Sequence, residues 1–103
     1  MGVFGIGTNV IKINSGIIRG KKYPVACMAW FIPGHAPRPL LIKYEDQEGI
    51  IQTLSEIMIK STYNKIYDGE AVNEYKCVVV INAVTQEFRL FFYIISCRWS
   101  MVV

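Results

Sequence analysis

Few residues in this sequence are equipped for chemistry: one histidine (His35), three cysteines (Cys27, Cys77 and Cys97) and eight carboxylates. Acid–base catalysis needs two positioned groups whose environments push their pKa values apart. Asp46 and Glu48 share a turn with Gly49, where solvent is expected to keep them ordinary carboxylates. Glu56 lies between Leu54 and Ile57 and is the acid with the most apolar surroundings; its plainer reading is an exposed bulge residue. All three cysteines fall in apolar runs, where a thiol behaves as a small hydrophobe. Cys27 and Cys77 share parity with the core sets of their strands and are expected to be buried. Cys97, beside Arg98, is the one whose thiolate an adjacent charge would favour. His35 stands alone in the proline-rich loop Pro33 to Pro39, a setting that predicts a solvent-exposed side chain. No nucleophile, base and orienting acid come together by spacing. The chain therefore reads as a non-enzyme with no catalytic residues; the enzymatic alternative is an unrecognised site near His35 or Cys97. The cysteine count is odd, without a Cys-x-x-Cys pair, which points to buried thiols in a reducing compartment and to no metal. The Gly-Ile-Gly near the start has no strand before it and no helical pattern after it, so no dinucleotide is expected, and no other cofactor.

These residues are positioned by strands. From Tyr75 to Ile81 the odd positions Tyr75, Cys77, Val79 and Ile81 form one face, and Lys76, Val78 and Val80 form the other. After the polar stretch Asn82 to Glu87, Phe88, Leu90, Phe92 and Ile94 alternate with Arg89, Phe91, Tyr93 and Ile95. The pattern predicts a long hairpin, apolar on both faces, so that a further element or a second chain must cover the outer one. A helix is rejected: Tyr, Phe, Val and Ile dominate, and alanine and leucine are nearly absent from Phe88 to Trp99. Arg98 also interrupts the run, which is too short for a membrane span.

Upstream, Tyr23 to Ile32 reads as a strand with Val25, Cys27, Ala29 and Phe31 on one face and Ala26, Met28, Trp30 and Ile32 on the other. Trp30 is expected to be buried, the alternative being an exposed aromatic on a binding face. Pro33 to Pro39 is a stiff, protruding loop. Leu40 to Glu45 is a strand, and Asp46 to Gly49 a tight turn. Two periods compete from Ile50 to Tyr63; the strand reading is favoured because no N-cap precedes Ile50, with a bulge or bend at Ser55-Glu56. Asp68-Gly69 marks another tight turn, and Trp99, Met101 and Val103 alternate on a last strand. Five to seven short strands describe an all-β domain of SH3-like size: a small antiparallel barrel, which would remove open edges, or a strongly curled sheet. Residues 23–103 form this single domain. Residues 1–22 are a short extension with one or two short strands, Val10 to Ile13 and Ile17-Ile18.

Charge and composition bear on partners. Hydrophobic residues are 52% and charged residues 18%, more apolar than typical soluble domains, as strands buried on both faces or an obligate interface would require. Of the formal charge of +3, residues 1–43 carry six basic groups and no acid, and the remainder is net −3. The expected role is structural or regulatory, through self-association, with a dimer as the first expectation. The alternative is a nucleic-acid-binding barrel in which Lys21, Lys22, Arg38 and Lys43 meet phosphates. Tyr23, Trp30, Phe91, Tyr93 and Trp99 are the aromatics for stacking or for an interface. No targeting segment is recognised, so a cytoplasmic chain without membrane attachment is expected.

The succession of a strand through Trp30-Phe31 into a proline loop, KYED turning through Gly49 into IIQTLSEIM, YDGEA, NEYKCVV, EFRLFFYI and RWSMV has a counterpart elsewhere. It resembles a family of small uncharacterised proteins from clostridia and related Gram-positive bacteria. The resemblance covers Tyr23 to Val103 and rests on Trp30, Pro39, Asp46, Gly49, Gly69, Tyr75, Leu90, Phe92, Tyr93, Arg98 and Trp99. The chain departs from it at Tyr44, where the family often has tryptophan, at the single Gly69, and at Glu74, where a basic residue is usual. The resemblance implies a small β-barrel and no chemistry.

Overall fold

Strict alternation of half-buried and exposed residues from Lys22 to Trp30 produces β1, with Tyr23, Val25, Cys27 and Ala29 turned toward the core. The computed structural model describes residues 20–103. Six more strands follow: β2 (Arg38–Glu45), β3 (Ile51–Leu54), β4 (Met58–Tyr67), β5 (Glu70–Ile81), β6 (Val84–Tyr93) and β7 (Arg98–Val102). They form one antiparallel sheet in the order β3-β2-β1-β7-β6-β5-β4. The expected short strands at Val10 to Ile13 and Ile17-Ile18 lie outside the described residues.

The concave face holds the main core. Ile42 and Leu54 from one end of the sheet share a cluster with Tyr75, Cys77, Phe88, Leu90, Phe92, Trp99 and Met101 from the other, so the sheet curls into a half-barrel. Its two edge strands are consecutive in the chain. Only Ser55, Glu56 and Ile57 join the end of β3 to the start of β4, a span of at most about 14 Å. Glu56 makes the turn with a positive φ of 55°. The strand reading of this region thus stands, and the bend at Ser55-Glu56 is what brings opposite edges of the sheet together. Among the described residues the edges are unpaired, so of the two expected forms the sheet takes the strongly curled one and not the closed barrel. Lys60 is the extra residue of a bulge on the β4 edge, a feature that discourages flat edge-to-edge pairing.

The hairpin at the centre of the sequence pattern is longer and its turn tighter than the polarity of Asn82 to Glu87 predicts. Asn82 and Ala83, both at positive φ, make a two-residue turn, and β6 starts at Val84. Thr85 to Glu87 are polar because this part of the hairpin is a free arm, not because it is a loop. The β4 ladder on β5 ends at Val78, and the β7 ladder on β6 ends at Arg89. Val80 is accordingly 65% exposed, and Ile81 is exposed as well, where both were expected to be covered. The Asp68-Gly69 turn forms as expected, and residues 64–67 and 70–73 on either side of it are the paired ends of β4 and β5.

Two further expectations are corrected. Trp30 lies on the outer face of β1 and is 64% exposed; the core positions of this strand are the odd-numbered ones. The loop after β1 is anchored at its far end, where Pro37 and Pro39 are buried and Tyr75 Oη donates to the Pro37 carbonyl at 2.5 Å, while residues 33–35 are exposed. Asp46 is not an ordinary turn carboxylate. It accepts hydrogen bonds from Gln52 Nε2, from the Ile50 amide and from the Glu48 amide, each at 2.9 Å, and these hold its pKa below the usual value.

Candidate binding surfaces of the half-barrel

The unclosed seam of the sheet is a cleft of about 950 Å³. β3 pairs with β2 from Ile42 to Glu45, and among the described residues no strand pairs with the outer edge of residues 38–41. This free stretch faces the free edge of β4: Arg38 to Leu40 and Met58, Ile59 and Thr62 line the same cleft. Tyr75 forms part of its floor, the loop carrying His35 closes one end, and Glu56 and Ile57 lie at the other. His35 and Glu56 therefore share a cleft, but no hydrogen bond or ion pair joins them among the described residues. Cys97 is elsewhere, exposed in the β6–β7 turn with a φ of 54°.

The convex face interleaves cations with aromatic rings. The registers place Lys22, Val102, Arg89 and Lys76 in one row across β1, β7, β6 and β5. Lys76 and Arg89 are like charges directly opposite, which is unfavourable unless they separate. They do so by leaning over different rings: Lys76 over Tyr63, Arg89 over Phe91. Lys22 and Arg98 lie over the Tyr93 ring at 4.8 and 4.4 Å from its centroid. Arg98 also pairs with Glu70 at 3.6 Å. Beside them Glu74, 1% exposed, is held by Lys65 at 3.1 Å and by the Tyr67 hydroxyl, which donates to it at 2.5 Å. Burial opposes the Lys65 ammonium, but the Glu74 carboxylate and the Tyr67 hydroxyl outweigh it and raise the Lys65 pKa. Burial, followed by the bond to Glu74, raises that of Tyr67. Phe91, Val72 and Val102 pack with Tyr67 and Tyr93 in a second apolar cluster on this side.

A third surface is the end of the sheet where β1 leaves it. Phe31 is 64% exposed yet meets Phe92 edge-on, with ring centroids 5.7 Å apart. Phe31, Ile32, Phe92 and Ile94 line one shallow cleft of about 550 Å³. Ile95, in the neighbouring turn and expected on a covered face, is 88% exposed.

The residues singled out from sequence do not form one site. Lys22 is on the convex face over Tyr93. Lys43, opposite Ala26 and Thr53, is exposed on β2. Arg38 is in the seam. Lys21 reaches over Tyr23, which is half-buried against the core. Of the aromatics, Trp30 is accessible; Phe91 and Tyr93 are covered, and Trp99 belongs to the core, tilted against Phe92 at 4.6 Å. The convex cations Lys65, Lys76 and Arg89 were not singled out, and Arg98 was named only beside Cys97 and in the family resemblance. Their shared face was signalled by parity within each strand, but the register aligning one strand with the next was needed to gather them. Cys77 is buried, whereas Cys27 is only half-buried; burial pushes their thiols up to about 12 and about 11. No helix among the described residues is long and apolar enough to cross a membrane. Comparison with family models, curated proteins and solved structures finds no match.

Proposed function

We propose that the chain is a non-catalytic structural or regulatory module whose main partner is a second copy of itself. The observation that carries this reading is the exposed apolar end of the half-barrel, where Phe31, Ile32 and Ile94 line one cleft and Trp30 and Ile95 adjoin it in sequence. Apolar groups gathered at one end of a domain mark association surfaces, whereas scattered ones do not. A two-fold dimer would set this end against itself and cover Phe31 and Ile95 together. The kinship with the uncharacterised Gram-positive family belongs to the same proposal and brings no chemistry to it.

Sedimentation at tens of micromolar tests the reading. The expected result is a dimer that an Ile95→Asp, Phe31→Ser variant converts to a monomer of unchanged circular dichroism. A wild-type chain that sediments only as the 11.7 kDa monomer rejects it.

A second reading, binding of nucleic acid, is favoured by the convex row of Lys22, Arg89 and Lys76. Because Phe91 and Tyr93 are covered, such binding would rest on phosphate contacts and not on their stacking. Titration with single-stranded RNA at two salt concentrations decides it: binding should weaken steeply with salt, and no binding at low salt ends the idea.

A further inference from the structure

The seam between β2 and β4 is lined by two sheet edges that have no strand partner among the described residues. Backbone N–H and C=O groups at a sheet edge are ready templates for an added strand, and two such edges line this one cleft. Its walls supply apolar contacts from Leu40, Ile57, Met58 and Ile59. Its two ends differ in charge: Arg38 stands at the end closed by the His35 loop, and Glu56 at the other. Neither makes an ion pair among the described residues. Pro39, which lacks an N–H, sits on the β2 side, leaving β4 as the fuller ladder.

We propose that this seam is a strand-addition site for an extended segment of a partner protein, with alternating apolar side chains and an acidic residue at the end that meets Arg38. The segment completes the half-barrel by pairing with the free edge of β4, while its carboxylate lies beside the Arg38 guanidinium, where a bidentate contact is available. A second folded copy of this chain does not fit the role. An edge strand arrives with its sheet attached and cannot enter a slot stopped at both ends by the His35 loop and the Ser55–Ile57 connection. The bulge at Lys60 further opposes pairing of one β4 edge with another. The seam adjoins the apolar end and shares Ile32 and the His35 loop with it, but Phe31 and Ile95 do not line it, so a variant at those two residues separates this proposal from self-association.

The test uses the full chain, labelled with ¹⁵N, and two capped heptapeptides of alternating threonine and valine, one ending in aspartate and the other in asparagine. At millimolar peptide the aspartate form is expected to shift the amides of Arg38, Leu40, Leu41 and residues 58–62 and to slow their hydrogen exchange. It should bind at least about threefold more tightly than the asparagine form, since a charged partner strengthens a hydrogen bond about twofold in energy. Arg38→Gln should abolish that preference without changing the rest of the spectrum, and the Ile95→Asp, Phe31→Ser variant should bind like wild type. Absence of shifts at those amides with either peptide overturns the proposal, as does equal binding of the two. Dilution of the Ile95→Asp, Phe31→Ser variant alone that moves the amides of residues 58–62 also overturns it, because a second copy then occupies the seam.

Discussion

Glu74 is a carboxylate taken almost wholly out of water in the middle of a strand, and its neighbours explain how it stays there. Lys65 supplies charge, Tyr67 supplies a hydroxyl, and the ammonium keeps contact with solvent at 33% side-chain exposure. Removing one partner of a buried pair is costly because the other charge remains buried without it, by about 3–5 kcal/mol when both are fully enclosed. The exposure of Lys65 reduces this, so Lys65→Met should cost about 2 kcal/mol. Glu74→Gln, which keeps an acceptor for Tyr67, should cost only about 1 kcal/mol. Urea unfolding at pH 7 compares them; a Lys65→Met loss below that of Glu74→Gln would show that Tyr67 alone satisfies the carboxylate. The thiols give a pH prediction. Cys77 and Cys27 ionise in the fold only near about 12 and about 11, while an unfolded thiol ionises near 9. The unfolded state therefore loses protons first, and the stability present below pH 9 falls as pH rises through the folded values. Between pH 9 and 11 a Cys27→Ala, Cys77→Val chain should lose less stability than wild type, and parallel curves would refute the assignment. At pH 8, iodoacetamide should modify the native chain at exposed Cys97 and spare Cys77.

At the scale of elements, the β5–β6 hairpin shows how turn chemistry and burial separate. Its turn places Asn82 and Ala83 at φ of 52° and 64°. Asparagine tolerates the left-handed region, but alanine does so at a cost of roughly 1 kcal/mol. Ala83→Gly should therefore raise stability by about 0.5–1 kcal/mol with an unchanged denaturant slope. A neutral or destabilising outcome would mean that the free arm is too loosely held for its turn to matter. The same hairpin marks the limit of what could be read in advance. The alternation of Tyr75, Cys77 and Val79 against Phe88, Leu90 and Phe92 was legible because a period of two needs only one strand. The turn was not, since an Asn-Ala pair lacks the glycine that announces it and the polar residues after it resemble a loop. Trp30 was misplaced because composition favours burial of a large ring, whereas parity put the odd-numbered residues of β1 inside. The seam was out of reach for another reason. His35, Arg38 and Glu56 come together only once β3 and β4 are known to be opposite edges of one curled sheet.

For the molecule as a whole, the decisive constraint is that a three-residue connection joins the two edges of a seven-stranded sheet. The sheet cannot flatten without breaking that link, and curling gathers Ile42 and Leu54 onto the same core as Phe88 and Leu90. Across the gap a direct polar tie is the Tyr75 hydroxyl, which reaches from β5 to the carbonyl of Pro37 before β2. Burial raises the Tyr75 pKa, so the phenol stays protonated and able to donate throughout the neutral range. Tyr75→Phe keeps the ring in the core and leaves the Pro37 carbonyl without its donor. An unsatisfied buried acceptor costs about 1–3 kcal/mol, and the Pro37 end of the loop should then loosen from the barrel. Two measurements separate the effects. Chemical denaturation should show a loss within that range, and hydrogen exchange at residues 34–38 should accelerate more than in the β5–β6–β7 core. A variant as stable as wild type, with unchanged exchange in the loop, would show that packing of Pro37 and Pro39 alone holds the seam at its present width.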